Sequence, residues 1–159
     1  MTTDRHNSPR GAAPQDAPLP SETLALAAAC HPACLACRPA SRGGLGLRFE
    51  VAPDGAVSAR FECASHYQGY PDRLHGGVVA TLLDAAMTHC LFSRGVRGVT
   101  ARLNIRYRHP VDVGTDAVVR AWLVRDAAPL YVLRAEIHQE DRLRALAEAK
   151  FFAEPARPV

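Results

Sequence analysis

The chain has 159 residues, 48% of them hydrophobic and 22% charged, with a formal net charge of +3. That is one domain's length with enough apolar content to bury a core, which excludes a wholly disordered chain. The cationic side is almost all arginine, with Lys150 the single lysine, and no concentrated basic patch marks a nucleic-acid binder. No stretch approaches the ~18 consecutive apolar residues of a membrane span, and the N-terminus has no apolar leader core. The expectation is a soluble, cytoplasmic protein with neither nucleic acid nor membrane as partner.

Residues 1–20 are rich in Pro, Ala, Ser, Gly and Asp without periodicity and predict a disordered tail. Residues 21–44 form a lead-in, in which Ser21 caps an alanine-rich helical run that Pro32 stops. Cys30, Cys34 and Cys37 fall here, three of five cysteines, an odd number that favours reduced thiols over a disulfide framework. Their C-x3-C-x2-C spacing resembles the iron–sulfur signature of radical SAM enzymes, and Cys34-x-x-Cys37 alone is half a zinc site. The first needs a longer chain. The second needs another ligand pair, for which His31, Cys63 and His66 are the candidates. The preferred reading is plain thiols, with no metal and no cofactor.

LGLRFEV (45–51) and AVSARFEC (56–63) alternate apolar and polar around Pro53-Asp54-Gly55, which predicts a β-hairpin. HYQGYPDRLHGG (66–77) reads as a loop, and VVATLLDAAMTHCLF (78–92) as a helix apolar nearly all round. VTARLNIRYRHP (99–110) alternates again, with Val99, Ala101, Leu103, Ile105 and Tyr107 on one face and Thr100, Arg102, Asn104, Arg106 and Arg108 on the other. AVVRAWLVR (117–125) and LYVLRAEIH (130–138) are strands separated by a turn at Asp126–Pro129. RALAEAKFF (144–152) favours helix by propensity, but it follows a meander and ends in two aromatics, so it is taken as a strand. The sum over 45–154 is an α+β domain, one long helix against a six-stranded antiparallel sheet. One sheet cannot cover so apolar a helix, so pairing with another subunit is expected.

Asp84 stands alone in the middle of that helix, where desolvation disfavours its charge unless a partner holds it. Thr88 lies four residues on, placed to orient it. At the helix start, His75-Gly76-Gly77 brings backbone N–H groups to the positive end of the dipole, suited to an anion or a polarised carbonyl oxygen. Gly76 and Asp84 are ~12 Å apart along the axis at ~1.5 Å rise per residue, too far for one substrate carbonyl to reach both. Two antiparallel helices related by a two-fold axis would bring Gly76 of one opposite Asp84 of the other, which implies a dimer.

HGGVVATLLDAAM resembles the hotdog-fold acyl-CoA thioesterases of the phenylacetate-pathway (PaaI) type. VTARLNIRYRHPVDVG is similar to the family's strand after the helix, and CLACRPASRGGLGLRFE to the lead-in of one branch, so the likeness spans roughly residues 34–153. The resemblance implies a hotdog fold, with the sheet wrapped around the central helix, and hydrolysis of an acyl-CoA thioester without cofactor by a homodimer or homotetramer. It implies that Gly76 polarises the carbonyl, that His75 shapes the loop, and that Asp84 of the partner subunit is base or nucleophile. It places Thr100 near the attacking water. Substrate contacts would come from Gly77, Gln68 and Thr88, with Asn104, Arg106 and Arg108 on the CoA arm; a solvated strand face is the other reading of those arginines. The family's Asn or Gln before the glycine loop is Gly69 here, with Gln68 beside it. Alternatives are a non-catalytic acyl-CoA-binding module, or a hotdog dehydratase or hydratase using Asp84 and His89.

Overall fold

A computed structural model describes residues 21–154; the tail expected over 1–20 lies outside them. Helix α1 (Ser21–Cys30) and a short 3₁₀ turn (Ala40–Arg42) form the lead-in. Strands β1 (Glu50–Val51) and β2 (Val57–Phe61) follow, then helix α2 (Gly76–Phe92). Strands β3 (Gly98–Tyr107), β4 (Ala117–Ala127), β5 (Leu130–Gln139) and β6 (Arg142–Ala153) complete the chain. All pairings are antiparallel, in the spatial order β1-β2-β4-β5-β6-β3. The α+β architecture expected from the pattern is the one observed.

Helix α2 packs on the sheet through Val79, Leu82, Leu83, Ala86, Met87 and Leu91, all buried. Each of these side chains except Ala86 contributes ~1.5–3 kcal/mol on leaving water. What lets the helix approach closely is a row of small residues. Ala121, Ala135 and Ala147 pair in register across β4, β5 and β6, with Val57 at one end of the row and Ile105 at the other. This settles the ambiguity of residues 144–152: Ala145, Ala147, Ala149 and Phe151 are the buried row of β6, so tertiary packing overrides the alanines' helical propensity. The helix ends in a Schellman motif, with Gly95 at φ 70°, its N–H bonded to Phe92 O at 2.9 Å and Val96 N–H to Leu91 O at 3.0 Å.

Two expectations are corrected. The strand predicted over 45–51 is reduced to Glu50–Val51, because the residues before it bond to the lead-in instead. Leu45 N–H donates to Leu35 O at 2.9 Å, Gly46 N–H to Arg38 O at 2.8 Å and Leu47 N–H to Ala36 O at 2.9 Å. The unbroken alternation read into β3 is also wrong. A register shift between Thr100 and Arg102 places Thr100 opposite buried Phe151, while Leu103, Ile105 and Tyr107 lie opposite Ala149, Ala147 and Ala145. The bulge therefore puts Thr100 on the helix-facing side with Leu103, Ile105 and Tyr107, apart from Asn104 and Arg106.

Candidate active site

The helix start is built by the loop before it. His75, extended at φ −61° and ψ 133°, is the N-cap, and its Nδ1 accepts from Gly77 N–H at 2.9 Å. Its carbonyl accepts from the N–H groups of Val78 and Val79 at 2.9 and 3.1 Å. Gly69 makes room for the ring, since a Cβ there would stand 3.2 Å from His75 Cδ2. Of the first-turn donors, Gly76 N–H is left without a hydrogen-bond partner among the described residues. Gly77, expected to help bind substrate, has its N–H committed to His75. Tyr107 OH donates to Gly76 O at 2.9 Å and ties this end of α2 to strand β3. Gly76 opens on a cavity of ≈ 390 Å³ that Tyr70, Arg73, Tyr107, Arg108 and His109 also line.

Asp84 is half-buried two turns further along α2, and its Oδ1 accepts from Thr100 Oγ1 at 2.7 Å. Thr88 does not orient the carboxylate. Its hydroxyl donates back to the main-chain O of Asp84 at 3.0 Å, the local option open to any mid-helix threonine. Asp84 lines a second cavity, of ≈ 200 Å³, with Thr81, Ala85 and Thr88 on the helix and Cys34, Leu35 and Ala36 on the lead-in. His31 and His89 complete its lining.

His89 reaches this cavity although five positions along a helix turn the side chains about 140° apart. It is 5% exposed, its ring stacks on Phe49 at 4.2 Å between centroids, and its Nε2 lies 3.1 Å from Cys37 Sγ. Burial, helped by nearby His31, pushes its pKa down to about 4, so the ring is neutral at physiological pH. Burial and then the neighbouring Cys34 push the Cys37 thiol up to about 12, so the contact joins two neutral side chains. Among the described residues no three His, Cys, Asp or Glu side chains gather as a metal-ligand set.

The remaining expected residues separate. Arg108 joins the Gly76 cavity, whereas Asn104 and Arg106 line a groove on the outer face of the sheet with Trp122, Arg134, Glu136 and Glu148. They were grouped with Arg108 by alternation alone, which carries no information on where a strand twists away. Gln68 is exposed and its Oε1 accepts from Asp72 N–H at 3.4 Å; it does not line the Gly76 cavity. Tyr107 and Arg73 at the helix start were missed. The signal for Tyr107 was its place in the same alternating row as Ile105; a lone arginine in a loop such as Arg73 gave none.

Among the described residues no helix is long and apolar enough to cross a membrane. A sequence model of the thioesterase superfamily matches residues 72–146, a span holding His75, Gly76, Asp84, Thr100 and Tyr107. An acyl-coenzyme A thioesterase, THEM4 of Rattus norvegicus, is 31% identical over 122 residues, covering 72% of this chain. The chain spans only 53% of that relative's length. The PaaI protein of the Escherichia coli phenylacetic acid degradation operon superposes with a TM-score of 0.72 at 19% identity, over 86% of this chain and 96% of that one. A hypothetical thioesterase protein from Streptococcus pneumoniae, solved with coenzyme A, superposes with a TM-score of 0.65 at 22% identity, over 70% and 91%. Over residues 72–146 the chain is similar to the thioesterase superfamily, and it has the hotdog fold of the structures it superposes on.

Proposed function

We propose that this protein hydrolyses an acyl-CoA thioester to the free acid and CoA. Asp84 acts as general base on water, or as nucleophile, and Gly76 N–H polarises the thioester carbonyl. The observation that carries this is the 2.7 Å bond from Thr100 to Asp84 Oδ1: one carboxylate oxygen is fixed, and the other is available on the wall of a cavity. Thr100 is the positioning residue for that carboxylate. The free Gly76 N–H at the positive end of α2 supplies the complementary part, a donor for the oxygen on which charge develops. Arg73, Arg108 and His109 around it suit the phosphates of CoA, since arginine pairs with phosphate in a planar fork. The relative's name and the neighbour's bound coenzyme A support the same substrate class.

Gly76 and Asp84 line different cavities of one chain, so the reacting pair comes from two subunits. Strand β3 has ten residues at the end of the sheet, and its far edge is without a strand partner among the described residues. An edge of that length is a template for a second copy. The unit is a homodimer, alone or paired into a homotetramer. All five cysteines are free, which suits the reducing cytoplasm.

The test is hydrolysis of a panel of acyl-CoAs by wild type, Asp84→Asn and Asp84→Ala. The expected loss in kcat is about 10²–10⁴-fold in both variants, with melting temperature held. A wild type that binds acyl-CoA without turnover makes the protein a binding module. Full activity in Asp84→Ala removes the mechanism.

A further inference from the structure

The cavity beside Asp84 has a size, and its walls have a stiffness that can be traced bond by bond. At ≈ 200 Å³, and with about 30 Å³ per small heavy-atom group (the volume share of one water), it holds about six or seven non-hydrogen atoms. One wall is helix α2, at Thr81, Ala85 and Thr88; the opposite wall is the lead-in, at Cys34, Leu35 and Ala36. Asp84 is the one carboxylate on the lining, and there is no lysine or arginine.

The lead-in wall is anchored along its length. The carbonyls of Leu35, Ala36 and Arg38 accept from the N–H groups of Leu45, Leu47 and Gly46 at 2.8–2.9 Å. Arg48 Nη1 donates to Cys37 O at 2.8 Å, and Cys37 is held in turn by its thiol contact to His89 at 3.1 Å. Ala36 is 3% exposed and belongs to the main core. Gly44 passes so close that a Cβ on it would sit 2.0 Å from Arg38 O, so the two backbones are already in contact. Behind His89, the stacked Phe49 ring blocks further depth. The cavity therefore cannot lengthen without breaking several hydrogen bonds and opening the core.

We propose that this cavity receives the acyl group of the thioester and admits only short, uncharged ones, with Cys34, Leu35 and Ala36 as the residues that set the limit. The inference rests on Asp84 being the hydrolytic centre, and it assigns what that centre acts on. A straight chain of about six carbons, seven heavy atoms with the carbonyl oxygen, fits. A longer chain has to displace the lead-in, and an acyl group ending in a carboxylate finds no lysine or arginine on the lining to pair with.

The test is kcat/KM for straight-chain acyl-CoAs from acetyl to hexadecanoyl, with wild type, a Cys34→Ala/Leu35→Ala double variant that lowers the wall, and Cys34→Leu, which fills it. In wild type the value is expected to peak between butanoyl and octanoyl and to fall at least about tenfold by dodecanoyl. The double variant brings dodecanoyl to within about threefold of hexanoyl, and Cys34→Leu moves the optimum shorter by about two carbons. Equal rates on hexanoyl- and dodecanoyl-CoA in wild type, or a cut-off that neither variant moves, would overturn the proposal. If no acyl-CoA is hydrolysed, the thioesterase reading fails by itself, and calorimetric binding of the same acyl-CoAs then decides on size. Affinity that falls beyond octanoyl and recovers in the double variant supports the limit; affinity flat with chain length overturns it.

Discussion

Thr100 Oγ1 donates to Asp84 Oδ1 at 2.7 Å, and that single bond fixes the carboxylate on the cavity wall. Thr100→Val keeps the shape and removes the donor. A hydrogen bond to a charged group is worth ~1.5–3 kcal/mol, so kcat is expected to fall about 10–100-fold. Thr100→Ser restores most of it and neither change moves the melting temperature by much, a pattern that a packing role for the methyl group would not give. His89 carries a second prediction at this scale. Its folded pKa of about 4 lies below the ordinary 6.5, so between those values the unfolded chain binds a proton that the folded one does not. Stability from this group is thus complete above pH 6.5 and is lost as pH falls toward 4, by up to about 3 kcal/mol. Denaturant unfolding of wild type and His89→Phe at pH 7 and pH 4.5 isolates it: the wild type should lose more stability than the variant, and parallel losses would refute the assignment. Asp84 could be found in the sequence because a lone carboxylate in an apolar helix is conspicuous. The partner that holds it could not, because the bulge that turns Thr100 inward leaves no mark in the alternation of residues 99–107.

The elements whose pattern matched their surroundings could be read directly. Helix α2 is apolar on most faces because the sheet and lead-in cover most faces, and β4 and β5 alternate because one side is buried. Strand β6 resisted, since alanine's local preference and its use as a thin spacer under a helix point to different elements, and only the register across β5 decides between them. The lead-in resisted for a different reason: its hydrogen bonds go to residues 45–47, a pairing between two irregular segments with no period to detect. That pairing predicts unequal behaviour from adjacent glycines. Gly43 has φ +76° and open space where a Cβ would sit, so Gly43→Ala costs about 1 kcal/mol for the left-handed backbone alone. Gly44→Ala drives a methyl to 2.0 Å from Arg38 O, and the wall beside Asp84 must move. A loss of about 2–4 kcal/mol is expected, read as a melting temperature lower by about 5–10 °C. Equal melting temperatures for the two variants would show that the wall is softer than its bonds indicate.

At the scale of the whole molecule, α2 places its free donor and its carboxylate ~12 Å apart along the axis, so the proposed hydrolysis requires each chain to supply half of two sites instead of one whole site. Subunit complementation tests this directly. One variant, Asp84→Asn, lacks the base. The other, Gly76→Pro, lacks the donor and nothing else of consequence, because proline suits the first position of a helix, where its missing N–H breaks no helical bond. His75 before it is already extended at ψ 133°, the conformation that a residue preceding proline prefers, and the atoms nearest to a Cβ at Gly76 are those of Tyr107, at 3.8 Å, an ordinary van der Waals distance. Each variant alone should be nearly inactive. Unfolded together and refolded as an equal mixture, half of the dimers carry one subunit of each kind. In such a dimer, one site combines both lesions and the other combines the intact Asp84 of one subunit with the intact Gly76 of the other. Activity should therefore return to about a quarter of wild type. If each chain instead held a complete site, no mixture could restore anything, because every chain present carries a lesion; activity remaining at the level of the separate variants would therefore rule out a shared site.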